Sequence, residues 1–192
     1  RSSCCSAMGI EVLPPDINKS RERFTTEGDR KIRIGLSDIK NVGEGAVLDI
    51  LNDREKNGEY RSFEDFVVSA SLIGVKKTVA EALILASCMD SFGLTRAQMT
   101  ACVQTELEKL AHEESRNIEG QLSLFDFGGD SVSSGASIFI PDIPEYPDSQ
   151  KLGYEKEMVG IYLSGNPLAS YTGLMAEIST FDMSEASDII AL

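Results

Sequence analysis

Between Gly35 and Phe92 the apolar residues recur at helical spacing in two successive stretches, each interrupted once by a short turn. In the first stretch Leu36 and Ile39 share a face, Asn41-Val42-Gly43 breaks the period, and Ala46, Val47, Ile50 and Leu51 resume it. In the second, a short helix over Phe63 to Val68 leads to a turn at Ile73-Gly74-Val75, and a helix from Lys77 to Ala86 places Val79, Leu83 and Ala86 on one face. A unit of two helices and a tight turn that appears twice predicts a mainly α protein.

The flanking residues predict the rest of the layout. Gly9 to Leu13 reads as a strand closed by Pro14-Pro15, whose fixed dihedrals and missing donors end pairing. Phe24 to Thr26 and Lys31 to Ile34 surround Glu27-Gly28-Asp29, a turn in which Gly28 takes positive φ, so a small hairpin is expected. Asn57-Gly58 is a C-terminal helix stop, and Ser62 with Asp65 has the spacing of a capping box. Thr95 with Gln98 opens a longer helix in the same way, with Met99, Val103, Leu107 and Leu110 as its core-facing stripe.

Beyond Leu110 the chain turns polar and runs through Gly128-Gly129-Asp130-Ser131-Val132-Ser133-Ser134-Gly135, a composition that buries too little surface to order itself. Pro141, Pro144 and Pro147 keep the next stretch extended, and a last helix is expected from Ser149 to Leu163, stopped by Ser164-Gly165-Asn166-Pro167. The expected divisions are 1–34 with the β element, 35–116 with the paired helical units, 117–148 as a flexible linker, and 149–192 with the last helix.

An apolar fraction of 42% over 192 residues suffices for one domain core. No run approaches the roughly 18 apolar residues of a membrane span; no membrane partner is expected, and the expected location is the cytoplasm. The chain begins at Arg1 and ends in the apolar run Ile189 to Leu192, which reads as a piece of something longer. Cys4, Cys5, Cys88 and Cys102 lack metal-ligand spacing and read as reduced thiols, while the one histidine, His112, sits in a polar run. No catalytic residue, metal site or cofactor is assigned within the chain.

The net charge of −13 opposes nucleic-acid binding, which is driven largely by Lys and Arg displacing counterions from phosphates. Its distribution changes that inference. Residues 117–192 hold two bases against twelve acids, whereas residues 1–116 hold sixteen against nineteen.

The turn Ile39-Lys40-Asn41-Val42-Gly43-Glu44-Gly45-Ala46 resembles the helix-hairpin-helix element of DNA polymerases, ligases and repair proteins. Gly43 and Gly45 leave the amides at the start of the second helix, Glu44 among them, free to point at a phosphate oxygen, aided by the helix dipole. Asn41 stands where the motif usually has glycine, and asparagine tolerates left-handed dihedrals. In Leu72-Ile73-Gly74-Val75-Lys76-Lys77 the first glycine is kept and Lys76 replaces the second. Lys40, Arg54, Lys76 and Lys77 are the candidate charge partners. Phosphate contacts carry no base sequence, so duplex DNA would be gripped without being read. The competing interpretation is a tight structural turn beside a solvated lysine face.

Gln121-Leu122-Ser123-Leu124-Phe125 lies alone in the polar segment, where three large apolar side chains have no local core to enter. An exposed apolar anchor in such a setting marks a partner site. The pentapeptide resembles the clamp-binding peptide of bacterial polymerases and repair proteins, which implies that Gln121 orients while Leu122, Leu124 and Phe125 enter a pocket of the sliding clamp, the beta subunit. Folding back on its own domain is the alternative.

Five segments in order, Gly9 to Asn18, Ile34 to Val47, Phe63 to Phe66, Gly120 to Phe125 and Leu163 to Leu168, resemble the alpha subunits of the bacterial C-family replicative DNA polymerases. Asn166 departs from the histidine usual before the final proline. The resemblance implies a tandem helix-hairpin-helix fragment of a DNA-directed DNA polymerase, a nucleotidyltransferase whose palm aspartates and Mg2+ lie elsewhere in the parent, working with the clamp and other replicase subunits. An oligonucleotide-binding barrel would follow the fragment. Two other readings stand beside it: a stand-alone helix-hairpin-helix DNA-binding or repair accessory protein, and a helical adaptor with no DNA contact.

Overall fold

The computed structural model describes residues 9–118 and 138–165. Three short strands come first: β1 (Glu11–Leu13), β2 (Thr25–Thr26) and β3 (Lys31–Arg33). β3 is central, parallel to β1 and antiparallel to β2. The β2–β3 hairpin turns through Gly28 at φ 71°, as its sequence predicts.

A single 3-10 turn, Leu36–Asp38, precedes α1 (Glu44–Asn57). The first half of the first unit is therefore one tight turn, shorter than the helix its periodicity predicts. The second unit is α2 (Phe63–Leu72) and α3 (Lys77–Leu85), and α4 (Arg96–Ile118) follows. α4 packs against both α2 and α3, and the core is built from Val47, Ile50, Phe63, Phe66, Leu83, Met99 and Val103. Leu107 of the predicted stripe is buried, whereas the side chains of Leu110 and His112 lie outside those described.

Local chemistry sets the helix boundaries. Ser62 Oγ accepts from Asp65 N at 3.2 Å, while Asp65 Oδ2 accepts from Arg61 N at 2.9 Å. At α4 the box is reciprocal: Thr95 Oγ1 accepts from Gln98 N and Gln98 Oε1 from Thr95 N, both at 3.1 Å. Such caps contribute about 1 kcal/mol each. Gly58 ends α1 at φ 92°.

Contacts cross two of the divisions expected from the sequence. Residues 9–34 are tied into the helical domain: the Asn18 side chain donates to Tyr60 O (2.9 Å) and accepts from Tyr60 N (3.0 Å), and Ile17 is fully buried. Residues 138–165 return to the same core. Ile138 and Ile140 pack against it, and α5 (Asp148–Met158) packs on α3. The Glu145 carboxylate accepts from the amides of Arg96 (3.1 Å) and Ala97 (3.2 Å), adding an acceptor from 48 residues away to the start of α4. α5 also ends five residues before the predicted Leu163, because Gly160 adopts φ 84° and its amide closes on Lys156 O. Gln121 to Phe125, Gly128 to Gly135, Asn166 to Leu168, Cys4 and Cys5 lie outside the described residues.

A candidate nucleic-acid interface

The two hairpin turns have one backbone design. Asn41 (φ 68°) and Gly74 (φ 73°) are left-handed, and each is followed by a buried valine, Val42 or Val75. Next come extended N-caps, Gly43 at φ −77°, ψ 150° and Lys76 at φ −69°, ψ 145°. The valines anchor the turns in the core, and the residues on either side of them face solvent: Asn41, Gly43, Glu44 and Gly45 in one, Gly74 and Lys76 in the other.

Neither cap makes a side-chain hydrogen bond. In α1 Val47 N donates to Gly43 O (3.1 Å), so helix geometry leaves the amides of Glu44, Gly45 and Ala46 pointing out of its end. A Cβ built at Gly43 or Gly45 meets nothing within 4 Å, which leaves the approach open. α2 and α4, by contrast, have their first amides engaged by Ser62, Thr95 and Glu145. α5, which follows Pro147, also lacks a side-chain cap.

The candidate cations fall in different places. Lys40 sits beside the first turn, with Nζ 2.9 Å from Glu157 Oε1 and its amide donating to Met158 O at 2.8 Å. Lys76 is exposed at the mouth of the second turn, and Lys77 is the first residue of α3. Arg54 requires correction. It lies eleven residues past Gly43, about 16 Å along the helix axis, and its Nη1 donates inward to Ile17 O (2.6 Å) and Ser20 O (2.9 Å). Arg54 fastens the N-terminal segment to α1 and is not part of the hairpin face.

Sequence reasoning missed Arg23, whose Nη2 lies 2.8 Å from Glu44 Oε1 at that face. It occurs in an irregular connection with no local pattern, so only its carboxylate partner reveals it.

Among the described residues no group of three or more His, Cys, Asp or Glu side chains is arranged to hold a metal ion. The buried acids are engaged otherwise: Glu155 with Arg96 and Asp53 with Asn57. A polymerase metal pair does not fit these residues. Cys88 and Cys102 are free and buried, and burial pushes the Cys102 thiol up to about 11 and Cys88 well above its ordinary value, so both are inert neutral thiols at neutral pH. No helix among the described residues is long and apolar enough to cross a membrane.

Paired hairpins of this design, with outward amides and a shared core, define a helix-hairpin-helix domain, and residues 9–99 match the family model described as helix-hairpin-helix motif. The chain is homologous to a segment of the DNA polymerase III alpha subunit. It is 38% identical over 178 residues to DNA polymerase III subunit alpha of Saccharopolyspora erythraea, covering 90% of this chain and 15% of that protein. Against the subunit of Vibrio cholerae it is 33% identical over 183 residues, 95% of this chain and 16% of the relative. Against that of Thermus aquaticus it is 36% identical over 187 residues, 96% and 14%. The chain thus spans about one-seventh of the length of these relatives.

Proposed function

We propose that this domain grips duplex DNA through the backbone amides of its two hairpins, as a non-catalytic part of a DNA-directed DNA polymerase. The observation that carries the reading is the shared geometry of Asn41-Val42-Gly43 and Gly74-Val75-Lys76, with both following helices lacking a side-chain cap. Two such turns on one core present positive helix ends to two phosphates, with Lys40, Lys76 and Lys77 adding charge. The grip is insensitive to base sequence and weakens with salt.

The parent activity is nucleotidyl transfer, which uses metal-bridged carboxylates located in other parts of the polymerase. A segment of a replicative enzyme works in the cytoplasm beside other replicase subunits. Gln121, Leu122, Ser123, Leu124 and Phe125 are proposed to dock on the sliding clamp, so that DNA released by the hairpins is recaptured at high effective concentration. The support for this is the peptide's composition in its polar surroundings and the polymerase homology.

The test is Gly43→Val with Gly45→Val. An added Cβ at either position meets nothing within 4 Å, so the fold is expected to persist while the amides are covered. Duplex affinity at low salt is expected to drop by about tenfold, the loss of one charge-assisted contact. Unchanged affinity in a folded variant would leave only a structural turn.

A further inference from the structure

Each of two cations at the first hairpin is paired with an exposed carboxylate. Arg23 and Glu44 meet at 2.8 Å with side chains 63% and 69% exposed, with Glu22 Oε1 a longer 3.6 Å from Arg23 Nε, and Lys40 and Glu157 meet at 2.9 Å with 55% and 54%. Pairs this open to water contribute little, so a phosphate can exchange for either carboxylate at small cost.

The backbone at both cations is held by main-chain hydrogen bonds. The carbonyls of Arg21 and Glu22 accept from Leu36 N and Ser37 N, both at 2.9 Å. Gly35 lies so close beneath Arg23 that an added Cβ would sit 2.4 Å from its carbonyl carbon. The 21–23 segment is thereby laid across the entry to the hairpin. Lys40 is anchored by its amide on Met158 O, the bond that also brings Glu157 alongside from 117 residues away.

We infer that Arg23 and Lys40 are the phosphate-contacting cations of the first hairpin, and that Glu44 and Glu157 hold them in reserve and weaken the grip. Glu44 acts in two ways, since its amide belongs to the hairpin while its carboxylate competes with DNA for Arg23. The inference rests on the duplex-binding reading above. It adds a role for α5, whose last turn supplies the carboxylate that limits Lys40.

The experiment is binding of the 192-residue chain to a labelled duplex across a salt series, with unfolding midpoints recorded for each variant. Glu157→Gln is expected to tighten binding about two- to fivefold, the scale of an exposed pair. It should also steepen the log-affinity against log-salt slope by about one, as the freed lysine displaces another counterion. In a Lys40→Gln background the same change should leave the slope where Lys40→Gln put it. Glu44→Gln should behave like Glu157→Gln only while Arg23 is present, and Arg23→Gln should weaken binding. Should Glu157→Gln lower the unfolding midpoint by loosening α5, the Arg23 and Glu44 cycle on a different helix decides the matter. A wild-type chain that binds, with slopes and affinities unmoved by these changes, overturns the inference alone. A wild-type chain that shows no salt-dependent duplex binding overturns the duplex-binding reading itself, and the inference with it.

Discussion

Glu155 and Arg96, 59 residues apart in the chain, meet in the interior with Arg96 Nη2 donating to Glu155 Oε1 at 3.0 Å. The Glu155 side chain has no exposed surface, and its second oxygen accepts from the amides of Leu163 (2.7 Å) and Ser164 (2.9 Å). Asp90 grips the same guanidinium at 3.0 and 2.7 Å. These contacts join the start of α4, the last helix and the residues after it.

Removal of Glu155 takes the acceptor from the Leu163 and Ser164 amides and leaves the buried Arg96 guanidinium with Asp90 alone. Glu155→Ala is expected to cost about 3–5 kcal/mol, the range for breaking a buried pair from one side. Glu155→Gln, which keeps the shape, should cost less. Urea denaturation with a common slope separates the two, and a loss below 1 kcal/mol for alanine would show that the pair carries no such weight.

Two carboxylates set an acid limb on stability. Burial alone would raise the Glu155 pKa, but the amides of Ser164 and Leu163 and the guanidinium of Arg96 outweigh it and hold the group below its ordinary value. Burial likewise pushes Glu145 upward, and the amides of Tyr146, Arg96 and Ala97 bring it lower. Both folded pKa values therefore lie below the unfolded ones. Their contribution is fully present above about pH 4.3, the unfolded glutamate pKa, and is lost as pH falls through the folded values. Stability measured against pH should fall on the acid side, and the fall should be shallower in Glu145→Gln and Glu155→Gln.

Arg54 should report on architecture alone. Arg54→Met removes the donor to Ile17 O and Ser20 O, and two hydrogen bonds from a charged group predict a loss of about 2–3 kcal/mol. The salt slope of duplex binding should not change. A slope reduced by about one would return Arg54 to the DNA face.

The equivalence of Asn41 and Gly74 can be tested with one substitution at both. Valine in a left-handed position is strained, so Asn41→Val and Gly74→Val should each destabilise by about 1–3 kcal/mol. Asn41→Gly should be close to neutral, because relief of strain offsets the extra freedom of the unfolded chain. A large difference between the two valine variants would mean that the turns are not alike.

Leu124→Ala with Phe125→Ala, made in the whole chain, should abolish binding to a bacterial sliding clamp while leaving duplex affinity unchanged. Titration of labelled clamp measures the first, and the salt series above the second. Clamp binding that survives both changes would place the anchor elsewhere.

What this sequence determined by itself is whatever depends on neighbours within a few residues. Ser62 and Thr95 cap because an acceptor three residues from an amide closes a local ring. Asn41 and Gly74 turn the chain because few residues tolerate positive φ. The tertiary structure decided which polar groups are available for binding. Lys40 finds Glu157 across 117 residues, Arg23 meets Glu44 through the path of an irregular loop, and Arg54 turns toward carbonyls on another segment. A charged side chain on an exposed helix looks the same in sequence whether it faces DNA, a carboxylate or a backbone oxygen. The difference lies in how separate stretches pack, and no local spacing encodes that.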